Sequence, residues 1–153
     1  MNSFNASFRY GSRLANRQIR LLHVKSGPHP DSIEIELSSS SLDSETQYCA
    51  LSYVWRDANA TKEVLWDGQL IRIREGLFGA LGQHLATEPE QLLWADALCI
   101  NQQDDEEKTA QVKMMGQIYR AAVTTVVWLG SECEGDARAV RLLVEVWQKF
   151  PTE

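Results

Sequence analysis

YCALSYVW (Tyr48–Trp55) and LLWADALCI (Leu92–Ile100) are short, nearly continuous apolar runs with polar segments on either side. Such runs are expected of strands buried on both faces, as in a parallel sheet covered by helices. TTVVWL (Thr124–Leu129), closed by Gly130, reads as a third strand of the same kind. Between the first two lies a compact hairpin, KEVLW and QLIRI around Asp67-Gly68, a pair that tolerates the positive φ of a type I′ turn. Leu77, Leu81 and Leu85, with Phe78, fall at helical spacing and predict a helix over Arg74–Ala86. Gly76, Gly79 and Gly82 weaken it by roughly 1 kcal/mol each relative to alanine, so packing must hold it. A longer helix is predicted from Asp104 to Ala121, with Val112, Met115, Ile118, Tyr119 and Ala122 as its core stripe. Strands alternating with helices predict an α/β fold, a parallel sheet flanked by helices, with antiparallel hairpins added at an edge.

Working outward, Gln18–Val24 and Ser32–Leu37 read as two strands around the turn-rich GPHPD, and Ser38–Ser41 with Asp43 and Ser44 as a surface loop. Residues 1–17 lack hydrophobic periodicity and read as a flexible N-terminal arm, leaving 18–153 as one α/β domain. Ala137, Val140, Leu143, Val144 and Trp147 recur at helical spacing. The chain then stops at Phe150-Pro-Thr-Glu without an evident closing element, so the domain is expected to lack a C-terminal segment.

Composition narrows the function classes. The 153 residues are 44% apolar and 24% charged, a globular balance. No apolar run approaches the roughly 20 residues of a membrane span, and the N-terminus lacks the apolar core of a signal peptide. Three cysteines without a C-x-x-C pair fit a reducing compartment, with Cys49 and Cys99 as buried thiols, so a cytoplasmic location is expected. A formal charge of −6 and scattered basic residues argue against binding nucleic acid through its phosphates. Neither phosphate-cradling glycine motif, no metal-ligand spacing around His23, His29 or His84, and no G-x-S-x-G elbow occur. No metal and no resident cofactor are expected.

What remains is a carboxylate-and-amide site, sought beyond the carboxyl ends of the strands, where parallel sheets bind ligands. Asp96 lies in an apolar run, where an unpaired charge is costly; it is either a structural acid bonded to backbone, Ser52 or Tyr53, or a ligand-binding one. Asn101 and Gln102 carry donors and acceptors suited to ribose hydroxyls or an amide, and equally suited to a cap and turn. Trp55, following the first strand, could stack on a base or nicotinamide ring. Glu107 stands at an acidic helix start with capping-box spacing from Asp104, and a helix start facing the strand ends also borders the cleft. Capping and catalysis both remain open for it.

These residues resemble a known family. Tyr48–Trp55 is similar to the opening motif of the fungal heterokaryon-incompatibility (HET) domain. Leu93, Trp94, Asp96, Cys99, Asn101 and Gln102, followed by Asp105, Glu107, Gln111, Met115 and Tyr119, resemble its second block, and Val127–Gly130 follow in the family's order. Arg56 stands where the family usually has Gly, crowding or recharging the cleft mouth, and Gly76 where an Asn is usual. The later W-x-x-R-x-W-x-x-Q-E segment has no counterpart.

The resemblance implies a role in fungal non-self recognition and programmed cell death. HET domains are also thought to be distant kin of TIR domains, which share a flavodoxin-like sheet and in some members cleave NAD. By that kinship Glu107 would be the catalytic carboxylate, with Ser52, Tyr53, Trp55, Arg56, Asp96, Asn101 and Gln102 binding NAD as substrate. Exchange of Glu107 for Gln is then expected to spare the fold and abolish turnover. The alternative is a non-enzymatic module that self-associates and recruits an NLR-type or other incompatibility partner.

Overall fold

The computed structural model describes residues 10–53 and 62–130. Val54–Asp57, with Trp55 and Arg56, and the periodic stretch from Ala137 to Trp147 lie outside the described residues. In chain order the elements are β1 (Gln18–Ser26), β2 (Ile33–Ser41), β3 (Tyr48–Tyr53), β4 (Lys62–Trp66), β5 (Gln69–Ile73), α1 (Glu75–Thr87), β6 (Leu92–Ala95), α2 (Asp96–Cys99), α3 (Asp105–Ala121) and β7 (Thr124–Trp128). No helix among the described residues is long and apolar enough to cross a membrane.

The seven strands form one sheet in the order β5-β4-β2-β1-β6-β3-β7. β3 pairs in parallel with β6 on one side and β7 on the other, through Ala50↔Trp94 and Leu51↔Val126. These are the three strands that the apolar runs pick out. The sheet as a whole is mixed rather than parallel. β1 lies antiparallel to both β2 and β6, β4 and β5 form an antiparallel hairpin, and β4 joins β2 in parallel. The β1–β2 hairpin thus bridges the parallel trio and the β4–β5 hairpin. Among the described residues, parallel pairing alone would leave an edge of β6 unpaired beside apolar strands, a liability that β1 removes.

Helices cover both faces of the trio. Side chains alternate along a strand, so Tyr48 and Ser52 share a face, and the register partner of Ala50, Trp94, points the same way. Those side chains meet α3: the Tyr48 hydroxyl donates to Ile118 O at 2.6 Å, and the Trp94 and Tyr119 rings meet edge-on at 5.4 Å. Tyr53 and its register partner Trp128 take the opposite face, where α1 lies over Trp128 at Gly79. A Cβ on Gly79 would stand 3.1 Å from the Trp128 ring, so here glycine permits close helix–strand approach.

Three local expectations are corrected. The run Leu92–Ile100 is not one strand: it leaves the sheet after Ala95 and turns into α2, whose first residue, Asp96, accepts a hydrogen bond from Ala97 N at 2.7 Å. Periodicity cannot separate a buried strand from a buried helical turn in so short a run. Ser38–Ser41 is not a loop but the continuation of β2, paired with Gln18–Leu21. The ladder supplied by β1 outweighs the weak strand propensity of serine. On α3 the buried positions are Glu107, Gln111 and Ile118, while Val112 is 52% exposed, so the core-facing stripe is rotated from the one its apolar spacing suggests. The Asp67-Gly68 turn has positive φ at both residues (47° and 78°), as its sequence requires.

Residues 10–17 are held against the domain. The Tyr10 ring meets Trp66 edge-on at 5.5 Å and its hydroxyl donates to Leu98 O at 3.0 Å, Arg13 pairs with Asp104 and Glu106, and Arg17 reaches Asp43 and Gln117.

Candidate functional site

The carboxyl ends of β3 and β6 bring together Ser52, Tyr53 and Asp96, joined by Tyr119 from α3 and Gln102 from the loop after α2. Tyr119 donates to Leu51 O at 3.2 Å, and its phenol also interacts with Ser52. Gln102 Nε2 donates to Asp96 O at 3.1 Å, tying the loop to the strand end. Burial pushes the Asp96 carboxyl above its ordinary range, partly offset by the Ala97 N–H. The Tyr53 phenol is raised by burial and then by the Asp96 charge, with Arg74 acting the other way. Tyr119 is raised by the same two causes, and Ser52 opposes them. Two phenols and a carboxylate therefore interact electrostatically in one partly desolvated region at the strand ends. Asp96 makes no side-chain hydrogen bond among the described residues beyond that to Ala97 N, which leaves one carboxylate oxygen open.

Glu107 belongs to a different, closed cluster. It is 3% exposed, and Arg20 grips it through both terminal nitrogens, at 2.5 and 3.0 Å. Asn101 N donates to the same carboxylate at 3.0 Å and Leu14 N at 3.5 Å. Burial by itself would raise this carboxyl; the Arg20 guanidinium and the two N–H groups outweigh it and hold the group below its ordinary range. Its acceptor positions are filled by the fold. The capping box is only half formed: Asp104 accepts from the N–H groups of Glu106 and Glu107 at 3.1 Å, whereas the Glu107 side chain turns to Asn101 instead of Asp104 N.

Asn101 likewise serves its own turn, its side chain accepting from Gln103 N at 3.1 Å. Of the sequence-derived site residues, Ser52, Tyr53, Asp96 and Gln102 therefore lie together, while the Asn101 backbone meets Glu107, which pairs with Arg20. Trp55 and Arg56 lie outside the described residues. Sequence reasoning missed Arg20, Arg74 and Tyr119. Arg20 had a legible signal: an arginine in the apolar strand QIRLL needs buried partners, and an acid is the one that also neutralises its charge. Tyr119 reads as a core residue from spacing alone.

A family model described as Heterokaryon incompatibility protein (HET) matches residues 48–152. The chain belongs to the HET family. The match takes in the β3 and β6–α3 motifs that build both clusters. This HET domain is also similar to Heterokaryon incompatibility protein 6, OR allele, of Neurospora crassa, with 35% identity over 146 residues. That alignment covers 86% of this chain and 22% of the Neurospora protein, so the chain spans about a fifth of its relative's length. No solved structure matches.

Proposed function

We propose that this HET domain acts in heterokaryon incompatibility, as a cytoplasmic effector of fungal non-self recognition that ends in programmed cell death. The family match and the name of its Neurospora relative support that role. For its chemistry we propose hydrolysis of NAD to nicotinamide and ADP-ribose at the mouth formed by β3 and β6. The observation carrying this reading is the Asp96 carboxylate, one oxygen of which accepts no hydrogen bond among the described residues, near the buried Tyr53 phenol and the half-buried Tyr119 phenol at the strand ends.

That successive parallel strands fall on opposite sides of β3, in the order β6-β3-β7, supports the proposed kinship with TIR domains and their flavodoxin-like sheet. In the proposed step the N-glycosidic bond breaks with its electron pair passing to the nicotinamide nitrogen, which leaves neutral. Positive charge develops on the ribose as an oxocarbenium ion beside the Asp96 carboxylate, a stabilisation strengthened by a site poor in water. Water then adds to the anomeric carbon and loses its proton. Ser52, Tyr53 and Gln102 offer hydrogen bonds to the ribose. Glu107 enters this chemistry only if the Arg20 pair opens; closed, it holds the Asn101 turn in place.

A second reading, a non-enzymatic module that self-associates or recruits an incompatibility partner, is favoured by the engagement of Glu107 in the fold. Incubating the purified chain with NAD at high protein concentration separates the two. Nicotinamide release that disappears in Asp96→Asn supports the hydrolase. Absence of release from a folded chain that still kills fungal cells on expression supports the interaction module.

A further inference from the structure

β7 is an edge strand whose apolar surface stands open among the described residues. Register partners in a parallel pair share a face, so Val127 lies with Ser52 on the α3 side and Val126 with Leu51 on the α1 side. Val127 is 61% exposed and Val126 38%. On the α1 side the neighbouring Trp128 lies against Gly79, whereas Val127 on the α3 side is left largely open among the described residues. α3 extends the open surface. Its Ala110, Lys113 and Met114 line a groove of about 470 Å³ against residues 13–17, and its Gln117 bonds Arg17. The opposite flank, carrying Val112 and Met115, therefore turns towards β7. A parallel strand that is apolar on both faces is built to be covered on both.

The topology says what fits there. The step from β3 to β6 carries α1 on one face, and the step from β6 past β3 to β7 carries α3 on the other. Opposite directions on opposite faces are what two right-handed crossovers require. A right-handed step onward from β7, away from β3, must again run over the α3 face. Residues 131–136 separate β7 and Gly130 from Ala137, Val140, Leu143, Val144 and Trp147, whose spacing puts them on one side of a helix. A helix over that stretch would be about 16 Å long, the length of a five-residue strand at about 3.3 Å per residue. The family match runs through residue 152, so the stretch falls within the same domain.

We propose that the segment Ala137–Trp147 of this chain docks on the α3-facing side of β7, seated on Val127, Val112 and Met115. Thiol labelling of the full chain tests it, in a Cys133→Ser background whose remaining cysteines, Cys49 and Cys99, are buried. With Val127→Cys, maleimide labelling is expected to run about tenfold or more slower than with Leu70→Cys, although Leu70 on β5 is 53% exposed and thus no more open in the described chain. Adding Leu143→Asp should restore fast labelling at Val127→Cys and leave Leu70→Cys unchanged. Val112→Cys on α3 provides the same readout should the β7 variant fold poorly, with circular dichroism as the check on folding. Equal labelling of the Val127→Cys and Leu70→Cys chains would overturn the proposal. So would slowing that fades on dilution, which marks a second copy as the occupant, or protection found at Val126→Cys in place of Val127→Cys.

Discussion

Arg20 and Glu107, 87 residues apart, form a buried ion pair in which both ends of the guanidinium meet both oxygens of the carboxylate. The pair draws together the start of β1, the first turn of α3, the Asn101 turn and the Leu14 backbone. The Tyr10 ring lies over the guanidinium, 4.7 Å from ring centre to Arg20 Cζ. A motif residue in the first turn of α3 thus closes the fold.

Removing one partner of such a pair strands the other charge, at a typical cost of about 3–5 kcal/mol. Glu107→Gln should therefore lower the urea midpoint markedly, in contrast to the fold-sparing effect its motif position suggests. A double Arg20→Met/Glu107→Met variant should recover much of the loss, because no unpaired charge remains. An unfolding midpoint for Glu107→Gln equal to that of the parent would show that the pair contributes little.

The same carboxylate sets an acid limit. Its folded pKa lies below the unfolded value, so its contribution is complete above about pH 4.5 and is lost as the pH falls through the lower folded value. Thermal melts between pH 6 and roughly pH 2 should show a steep loss in the parent and a shallower one in Glu107→Gln.

Asp96 acts in the opposite sense. Its carboxyl is raised on folding, so a penalty on the folded state builds as the pH rises from the ordinary aspartate value towards the higher folded value and is complete above it. Asp96→Asn keeps an oxygen for Ala97 N and should melt at a higher temperature than the parent at pH 7. The difference should vanish in acid below the ordinary aspartate range. Nicotinamide release, read on the same samples, is expected to fall at least about 100-fold, as for loss of a group that stabilises transition-state charge. A variant that is neither more stable nor less active would remove Asp96 from the proposed site.

Two glycines of α1 should respond with opposite signs. Gly82→Ala places its Cβ no closer than 3.9 Å to Ile33 and should gain about 0.5–1 kcal/mol from helix propensity. Gly79→Ala pushes a Cβ to 3.1 Å from the Trp128 ring and should lose stability despite the same propensity gain. Chemical denaturation of the two variants side by side checks the contrast; stabilisation by both would mean that α1 can shift away from β7.

Local chemistry made much of the fold legible. The Asp67-Gly68 turn, the α1 and α3 helices and the three parallel strands follow from spacing and residue type, because each depends on neighbours close in sequence. Where pairing came from afar, spacing misled. Ser38–Ser41 joins β2 because β1 supplies a ladder, and Val112 stands exposed because α3 turns the polar Glu107 and Gln111 inward.

The sequence by itself determined the family, the strand ends at which to look for a site, and the presence of Asp96 and Glu107 beside them. Only the tertiary structure decided which acid is open. Both stand in acidic or apolar motifs that read alike. Charge burial depends on partners that sequence distance hides: Arg20 reaches Glu107 across the fold and neutralises it, while among the described residues the Asp96 carboxylate meets the Ala97 N–H and the nearby Tyr53 and Tyr119 phenols but forms no ion pair.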